Sequence, residues 1–412
     1  MKPGKVVVIG GGVVGASSAY YLARDGWSVD LIDQGVFGAA CSNGNCGYVC
    51  PSHVFPLCRP GAITKTLPLA LRPNSPFAIR PRPDLRMLAW FAKFAANCTT
   101  AKVHSTAAAL NDLLWAAKRC YEEIIREEKI ECDWQEDGCL FVYRDRHHLD
   151  AFAGENDEIQ RRFGFSAKRL DGPSLAALEP VLREDLAGAW HFECDAHIRP
   201  DRFMAGLRAA LERRGVTIHE HRAATAITGD GPGVLQTTRG PMRADAYVVA
   251  AGAWTPLLAG LIGTRLPIQP GKGYSLTGPR PAGCPRYPMV FEEHRVAITP
   301  WKSGFRIGST MEFAGYDDSI REERLRLLTD SAKLYFREWA EPTFDERWYG
   351  WRPMTPDGKP FIDRSPSRRN VLVAAGHNMI GMSTGPGTGQ LVADLLAGRA
   401  PAFEPAPFRI GR

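Results

Sequence analysis

Three glycines near the start carry the first chemistry in this sequence. In Gly10-x-Gly12-x-x-Gly15 the first permits a tight turn and the second lets the backbone approach a pyrophosphate. The third brings a helix close against a strand. A helix that begins at such a turn offers free N–H groups and its positive dipole end to phosphate oxygens. Asp33 closes the next strand-like run, where a carboxylate can accept hydrogen bonds from a ribose. A second cluster is Cys41, Cys46, Cys50 and Cys58. Their spacing fits neither the zinc patterns nor the ferredoxin ones, so no metal is expected and the thiols read as small residues packed near a ligand. No Ser-His-Asp or HExxH arrangement stands out.

The elements around the glycines make the motif specific. Lys5–Ile9 (KVVVI) is the β-branched run of a buried parallel strand. Residues 16–25 favour a helix, Gly26 stops it, and residues 28–33 (SVDLID) form a second strand. Strand, glycine turn, helix and strand make a βαβ unit. Residues 35–61 read as a loop, and helices are expected at 104–129, 145–163 and 200–214. Short strands at 216–219, 234–238 and 247–251 suggest a second βαβ-like region ending in AAGAW. Alternation over 296–300 and 304–309 indicates an antiparallel sheet, and a charged helix is expected at 320–340. Then come a buried strand at Val371–Ala375, a glycine-rich turn at 376–389 and a helix at 390–397.

Composition excludes several classes. The chain has 412 residues, 44% hydrophobic and 23% charged, with a net charge of +6. That is globular, and the excess is too small and too scattered for a nucleic-acid partner. Apolar runs fall short of a membrane span, the N-terminus lacks a signal-peptide pattern, and ten cysteines fit a reducing compartment as thiols. A cytoplasmic protein is expected, with contact at the inner face of a membrane left open. Nucleotide-type strands recur at the start, middle and end of the chain. An extended FAD needs contacts from such separated segments, whereas an NAD domain completes in one block. FAD is therefore the expected dinucleotide.

Longer stretches now carry a resemblance. The opening VVVIGGGVVGASSAYYLARDGWSVDLID, the loop CSNGNCGYVCPSHVFPLCRPG, the strands GKGYS and GFRIGSTMEF, and the closing GWRPMTPDGKPFID and AAGHNMIGMSTGPGTGQLVADLLAGR resemble the D-amino-acid oxidase type of FAD-dependent enzymes. They look most like its D-amino-acid dehydrogenase branch. The resemblance implies an α/β fold: a Rossmann-like FAD-binding domain (1–60 with 195–265 and 345–412) interleaved with a substrate domain on an antiparallel β-sheet with helices (61–194 with 266–344). It implies that Gly10, Gly12, Val13, Val14, Gly15, Asp33, Gln34, Ser42, Asn43, Gly44 and Gly252 hold the adenosine, pyrophosphate and ribityl parts of a non-covalent FAD. His377, Asn378, Met379, Ile380, Gly381 and Met382 would lie at the pyrimidine end of the flavin ring, with the last helix beginning near Ser383.

The same likeness implies dehydrogenation of an amino acid, such as a D-amino acid or a cyclic D-imino acid like D-proline or hydroxy-D-proline. Arg352, in GWRP, is expected to clamp the carboxylate, since a guanidinium fork matches two carboxylate oxygens. Tyr274 either adds a hydrogen bond to that carboxylate or is a buried tyrosine satisfied by backbone. Tyr48 and His53 lie on the flavin-side loop. His53 either acts on the substrate amine, its imidazole titrating near neutral pH, or is structural. Met379 stands where some amine-oxidising relatives place a second arginine, which argues against glycine as substrate. The electron acceptor is expected to be a quinone, an electron-transfer protein or oxygen. Competing readings are an oxygen-using glycine/sarcosine-type oxidase and a flavin-carrying electron-transfer subunit.

Overall fold

The structure, a computed structural model, describes residues 3–64, 75–229, 232–339 and 341–412. At its centre Val6, Val7 and Val8 have no exposed surface. Their strand, Lys5–Ile9, is flanked on both sides, which is why it carries an unbroken β-branched run. It pairs in parallel with Ser28–Ile32 and with Ala246–Val249. Thr217–His219 extends the sheet beyond Ser28–Ile32, and Val371–Ala375 extends it beyond Ala246–Val249, with Phe361–Arg364 antiparallel at that edge. One strand of the expected second βαβ-like region goes elsewhere. Val234–Thr237 forms a separate three-stranded antiparallel sheet with Ala224–Thr228 and Met242–Arg243. Its residues are mostly half-buried, the pattern of a sheet packed on one face.

The second sheet has nine strands. Gln269–Gly278 lies between Glu346–Met354 and Gly304–Phe313, antiparallel to both. Val296–Trp301, Met289–Phe291, Cys139–Tyr143, Gly188–Phe192 and Lys168–Asp171 follow in that order. The pairing is antiparallel except where Met289–Phe291 meets Cys139–Tyr143 and where Phe77–Ile79 joins Gly304–Phe313. The mixed α/β fold with an antiparallel second sheet is therefore present. Residue 345 falls just before Glu346–Met354, whose nine residues belong to this larger sheet.

The helices correct three expectations. The segment 145–163 is two helices, Arg146–Ala151 and Ala153–Phe163; Phe152 between them packs its ring against Phe141, Trp190 and Phe192. The charged helix is shorter than expected, Glu322–Lys333, and the expected end at 340 lies outside the described residues. Most instructive is 376–389, which its glycines mark as a turn and in which the resemblance begins the last helix near Ser383. The helix starts at Gly381 and runs to Ala397 through Pro386 and three further glycines. A Cβ on Gly385 would sit 2.8 Å from Val13, one on Gly387 2.9 Å from the Ala117 backbone, and one on Gly389 2.5 Å from the Ser17 backbone. These glycines let the helix press against Val13–Arg24 and Thr100–Glu128. Their helix-breaking tendency, about 1 kcal/mol each relative to alanine, is overridden by that packing.

Candidate active site

A cavity of about 2170 Å³ joins the two sheets. Its lining includes the C-terminal ends of the parallel strands (Ile9, Ile32, Ala250) and the face of the larger sheet (Tyr274, Ala297, Ser309). The carboxyl ends of parallel strands are where open α/β sheets receive ligands. Gly10, Gly12, Val13, Val14, Asp33, Gln34, Ser42, Gly44, Gly252 and all of 377–382 line it, as the sequence led us to expect. Gly15 lies behind the lining, and a Cβ there would fall 1.9 Å from the Gly10 carbonyl oxygen, so it acts through helix–strand contact. Asn43 does not face the cavity. Its side-chain amide donates to Glu346 (2.7 Å), and its carbonyl accepts from Arg306 (2.6 Å).

The lining fits a dinucleotide. Ser42 Oγ accepts from the Val13 amide (2.9 Å), while Val14, in the first turn of the same helix, lines the cavity where first-turn amides have no partner within the helix. Asp33 accepts from the amides of Gly11 and Gly35, both at 2.7 Å, and keeps lone pairs for ribose hydroxyls. The helix Gly381–Ala397 also begins at the cavity, so a second positive dipole end faces the ligand. The Asn378 side chain is occupied by Thr355, Gly358 and Gly376, and the His377 ring by Thr388 (3.0 Å). Their segment thus presents backbone and apolar surface.

Five arginines line the cavity: Arg59, Arg82, Arg222, Arg295 and Arg352. Arg59 pairs with Glu155, Arg82 with Asp84 and Arg295 with Glu292. Arg222 donates to Thr237 and to two carbonyls. Arg352 has a single hydrogen bond, from Nη1 to the Thr310 carbonyl (2.6 Å), and no carboxylate meets it among the described residues. Burial pulls its pKa below the ordinary guanidinium value, with the Cys41 and Cys46 thiols beside it acting in the opposite direction. An enclosed guanidinium without a counter-ion is a receptor for an anion. Gly304–Phe313, one strand beyond Gln269–Gly278, is distorted at this point. Ser309 and Thr310 have φ of 117° and 56°, and Thr310, a β-branched residue, is strained in that region. Its Oγ1 is buried with no partner and the residue lines the cavity. Nothing local in sequence marks Thr310: the irregular register lies where its strand pairs with Gln269–Gly278, more than thirty residues away.

The two tyrosines are placed differently from a carboxylate-binding role. Tyr274 donates to Glu312 (2.9 Å), itself 1% exposed and paired with Arg80. The Tyr48 hydroxyl lies 2.8 Å from the carbonyls of both Met289 and Ile298. Both hydroxyl protons are taken inside the protein, and the rings serve as walls. His53 lines the cavity beside Phe141, whose ring meets it edge-on at 5.5 Å. Burial, then Arg59 and Arg295, push its pKa down to about 4, so the expectation of titration near neutral pH is overturned: the ring is a neutral imidazole at pH 7.

Cys50, His53 and Asp195 bring one ligand atom each within 4.8 Å of one another. Both Asp195 oxygens accept from Ser52, which links Asp195, Ser52 and His53 in a hydrogen-bond chain. All ten cysteines are free.

Acid should destabilise the fold. Burial lowers His53 to about 4, His197 to about 4 and His377 to about 3. The unfolded chain protonates them near 6.5, so it binds more protons below that pH and stability falls as pH drops from about 6.5 towards 4. Asp195, Glu179 and Glu292 oppose this, since burial raises each, Asp195 to about 6, but the three histidine shifts are together the larger, at about 1.4 kcal/mol per unit each. The melting temperature should decline steadily from pH 7 to 4.5; a flat series would refute this.

Comparison with known proteins agrees with this geometry. Residues 5–395 match the FAD dependent oxidoreductase family, DAO. A D-amino acid dehydrogenase of Paramagnetospirillum magneticum is 35% identical over 410 residues, 97% of this chain and 96% of that protein. One from Methylobacterium radiotolerans is 33% identical, with 99% of each covered. Glycine oxidase from Geobacillus kaustophilus superposes with a TM-score of 0.78 at 25% identity, covering 99% of this chain and 98% of that one. L-proline dehydrogenase from P. horikoshii, at 20% identity and a TM-score of 0.72, shares the fold. Among the described residues no helix is long and apolar enough to cross a membrane. With a dinucleotide cradle at one end of its cavity and an unpaired arginine in the wall, the chain belongs to the DAO family of FAD-dependent oxidoreductases.

Proposed function

We propose that this enzyme dehydrogenates a D-amino acid, a class in which we include cyclic D-imino acids such as D-proline and hydroxy-D-proline. The observation that carries this reading is Arg352, a cavity-lining guanidinium with no carboxylate partner among the described residues. FAD, when bound, supplies the acceptor for the hydride leaving the substrate α-carbon. Gly10, Gly12, Val14 and Asp33 would hold its nucleotide half, and 377–382 would flank the ring. Arg352 orients the carboxylate, its own Nη1 held by the Thr310 carbonyl. Phe55, Phe141, Tyr143 and Phe152, aromatic residues of the lining, offer an apolar surface for the substrate side chain and exclude water. The names of the relatives favour D over L configuration, and a quinone or electron-transfer protein over oxygen as acceptor. We also propose the two-unit division of the chain, with Glu346–Met354 moved to the substrate unit.

The test is anaerobic bleaching of the bound flavin by a panel of D- and L-amino acids. Reduction by D-forms, with L-forms slower by at least tenfold, is expected. A fully flavinated protein that no member reduces would sink the proposal. Reoxidation by air against a quinone analogue then separates an oxidase from a dehydrogenase.

A further inference from the structure

The mechanism so far leaves one buried acid without a task. Asp195 has no exposed surface and stands behind the cavity lining. Its Oδ1 accepts from the Ser52 amide (3.0 Å) and its Oδ2 from the Ser52 hydroxyl (2.6 Å). The same hydroxyl oxygen lies 3.2 Å from Nδ1 of His53. A serine has one hydroxyl proton, and here the carboxylate takes it. The contact to His53 therefore requires Nδ1–H to donate to Ser52 Oγ. That fixes the tautomer: Nε2 carries the lone pair, and it has no partner among the described residues. Ser52 and His53 both line the cavity.

We infer that Asp195, acting through Ser52, is a positioning residue that holds His53 with Nε2 as the acceptor for a proton from the substrate ammonium. This rests on the amino-acid reading above. A protonated amine has no lone pair to form the C=N bond, so one proton must leave nitrogen as the α-carbon gives up its hydride. The N–H bond of the ammonium breaks, an N–H bond forms at His53 Nε2, and the proton then passes to solvent. The ring is neutral when substrate arrives. Arg59, held by Glu155, and Arg295, held by Glu292, face His53 together with Phe141 and oppose its protonation before substrate arrives. Around Asp195 lie Ser52 and the thiols of Cys50 and Cys194. Burial raises both thiols, Cys50 well above its ordinary value, so they stay neutral and Asp195 is the anion of the group.

The experiment is stopped-flow flavin reduction across pH in the holoenzyme. Ser52→Ala and Asp195→Asn should each lower the limiting reduction rate at least tenfold, a part of the 10²–10⁴ that a whole acid–base contribution supplies. The acid limb of the pH profile should move upward, because an imidazole without the carboxylate behind it is a poorer base and the free amine must form unaided. Ser52→Thr, which keeps the hydroxyl, should recover most of the rate. FAD content and melting temperature report whether each variant is folded. The deciding measurement is a double-variant cycle. In a His53→Ala background, Ser52→Ala should change the rate less than twofold. If its loss persists there, or if the pH profile of Ser52→Ala overlays that of the parent, the chain does not act through His53 and the inference falls. Failure of the parent enzyme itself to be reduced by amino acids would overturn the functional reading, a distinct result.

Discussion

Arg352→Met should weaken substrate binding by two to three orders of magnitude while the protein keeps its full complement of FAD. The guanidinium sits in a low-dielectric wall, and losing one partner of a buried, hydrogen-bonded charge pair costs about 2–5 kcal/mol, against about 1.4 kcal/mol per tenfold in affinity. Its strand is anchored independently: Glu346–Met354 pairs along Gln269–Gly278 with Arg352 opposite Gly271, so methionine leaves the sheet in place. Lysine should recover only part of the affinity, being a point charge without the planar fork. Gly273 supplies a companion result. A Cβ there would lie 2.2 Å from the Arg352 guanidinium, so Gly273→Ala should raise the apparent substrate constant by displacing the same group. Titration of flavin bleaching under argon measures both. Affinity within threefold of the parent for Arg352→Met would remove the carboxylate assignment.

Gly15→Ala should yield protein that purifies without FAD. The added methyl would lie 1.9 Å from the Gly10 carbonyl oxygen and 3.0 Å from its carbon, and neither can retreat. Gly10 already has a φ of +114° and is pressed against the Ala250 carbonyl. The helix must move off the strand, and with it the first-turn amides that face the phosphates. Overpacking of this kind costs about 1–3 kcal/mol. Loss of the ligand removes a further stabilisation that grows with the ratio of free FAD to its dissociation constant. The visible spectrum after purification and the melting temperature with and without added FAD check this. A yellow variant with the parent's melting temperature would refute it.

Features that are local in sequence could be read from sequence. The strand–turn–helix–strand opening announces itself because its glycines, its β-branched run and Asp33 lie within one short segment. The hairpin of Val296–Trp301 and Gly304–Phe313 was legible by alternation, and Val371–Ala375 by its uniform apolarity. What failed depended on partners far away in the chain. Residues 381–389 look like a turn until Val13, Ser17 and Ala117 are seen filling the space above their glycines. Tyr274 is a plausible donor to substrate until Glu312 takes its proton. The resemblance puts Asn43 with the cofactor, yet its amide and carbonyl are taken by Glu346 and Arg306. Asp195 drew no attention because an acid among ECDAH has nothing in its own vicinity to mark it; Ser52 gives it meaning from over a hundred residues earlier.

The glycine-faced helix Gly381–Ala397 also constrains the order of assembly. It fills the space between Val13–Arg24 and Thr100–Glu128, so one face of the first helix made on the ribosome stays without its partner until almost the whole chain has been synthesised. At about 5–20 residues per second, the buried faces of those two helices wait tens of seconds for their last partner. Contacts of such long sequence separation form slowly and leave apolar surface uncovered meanwhile. The nucleotide cradle, which opens the chain, is thus among the last parts to be completed, and FAD reaches a finished site only after the C-terminal helix has locked into place.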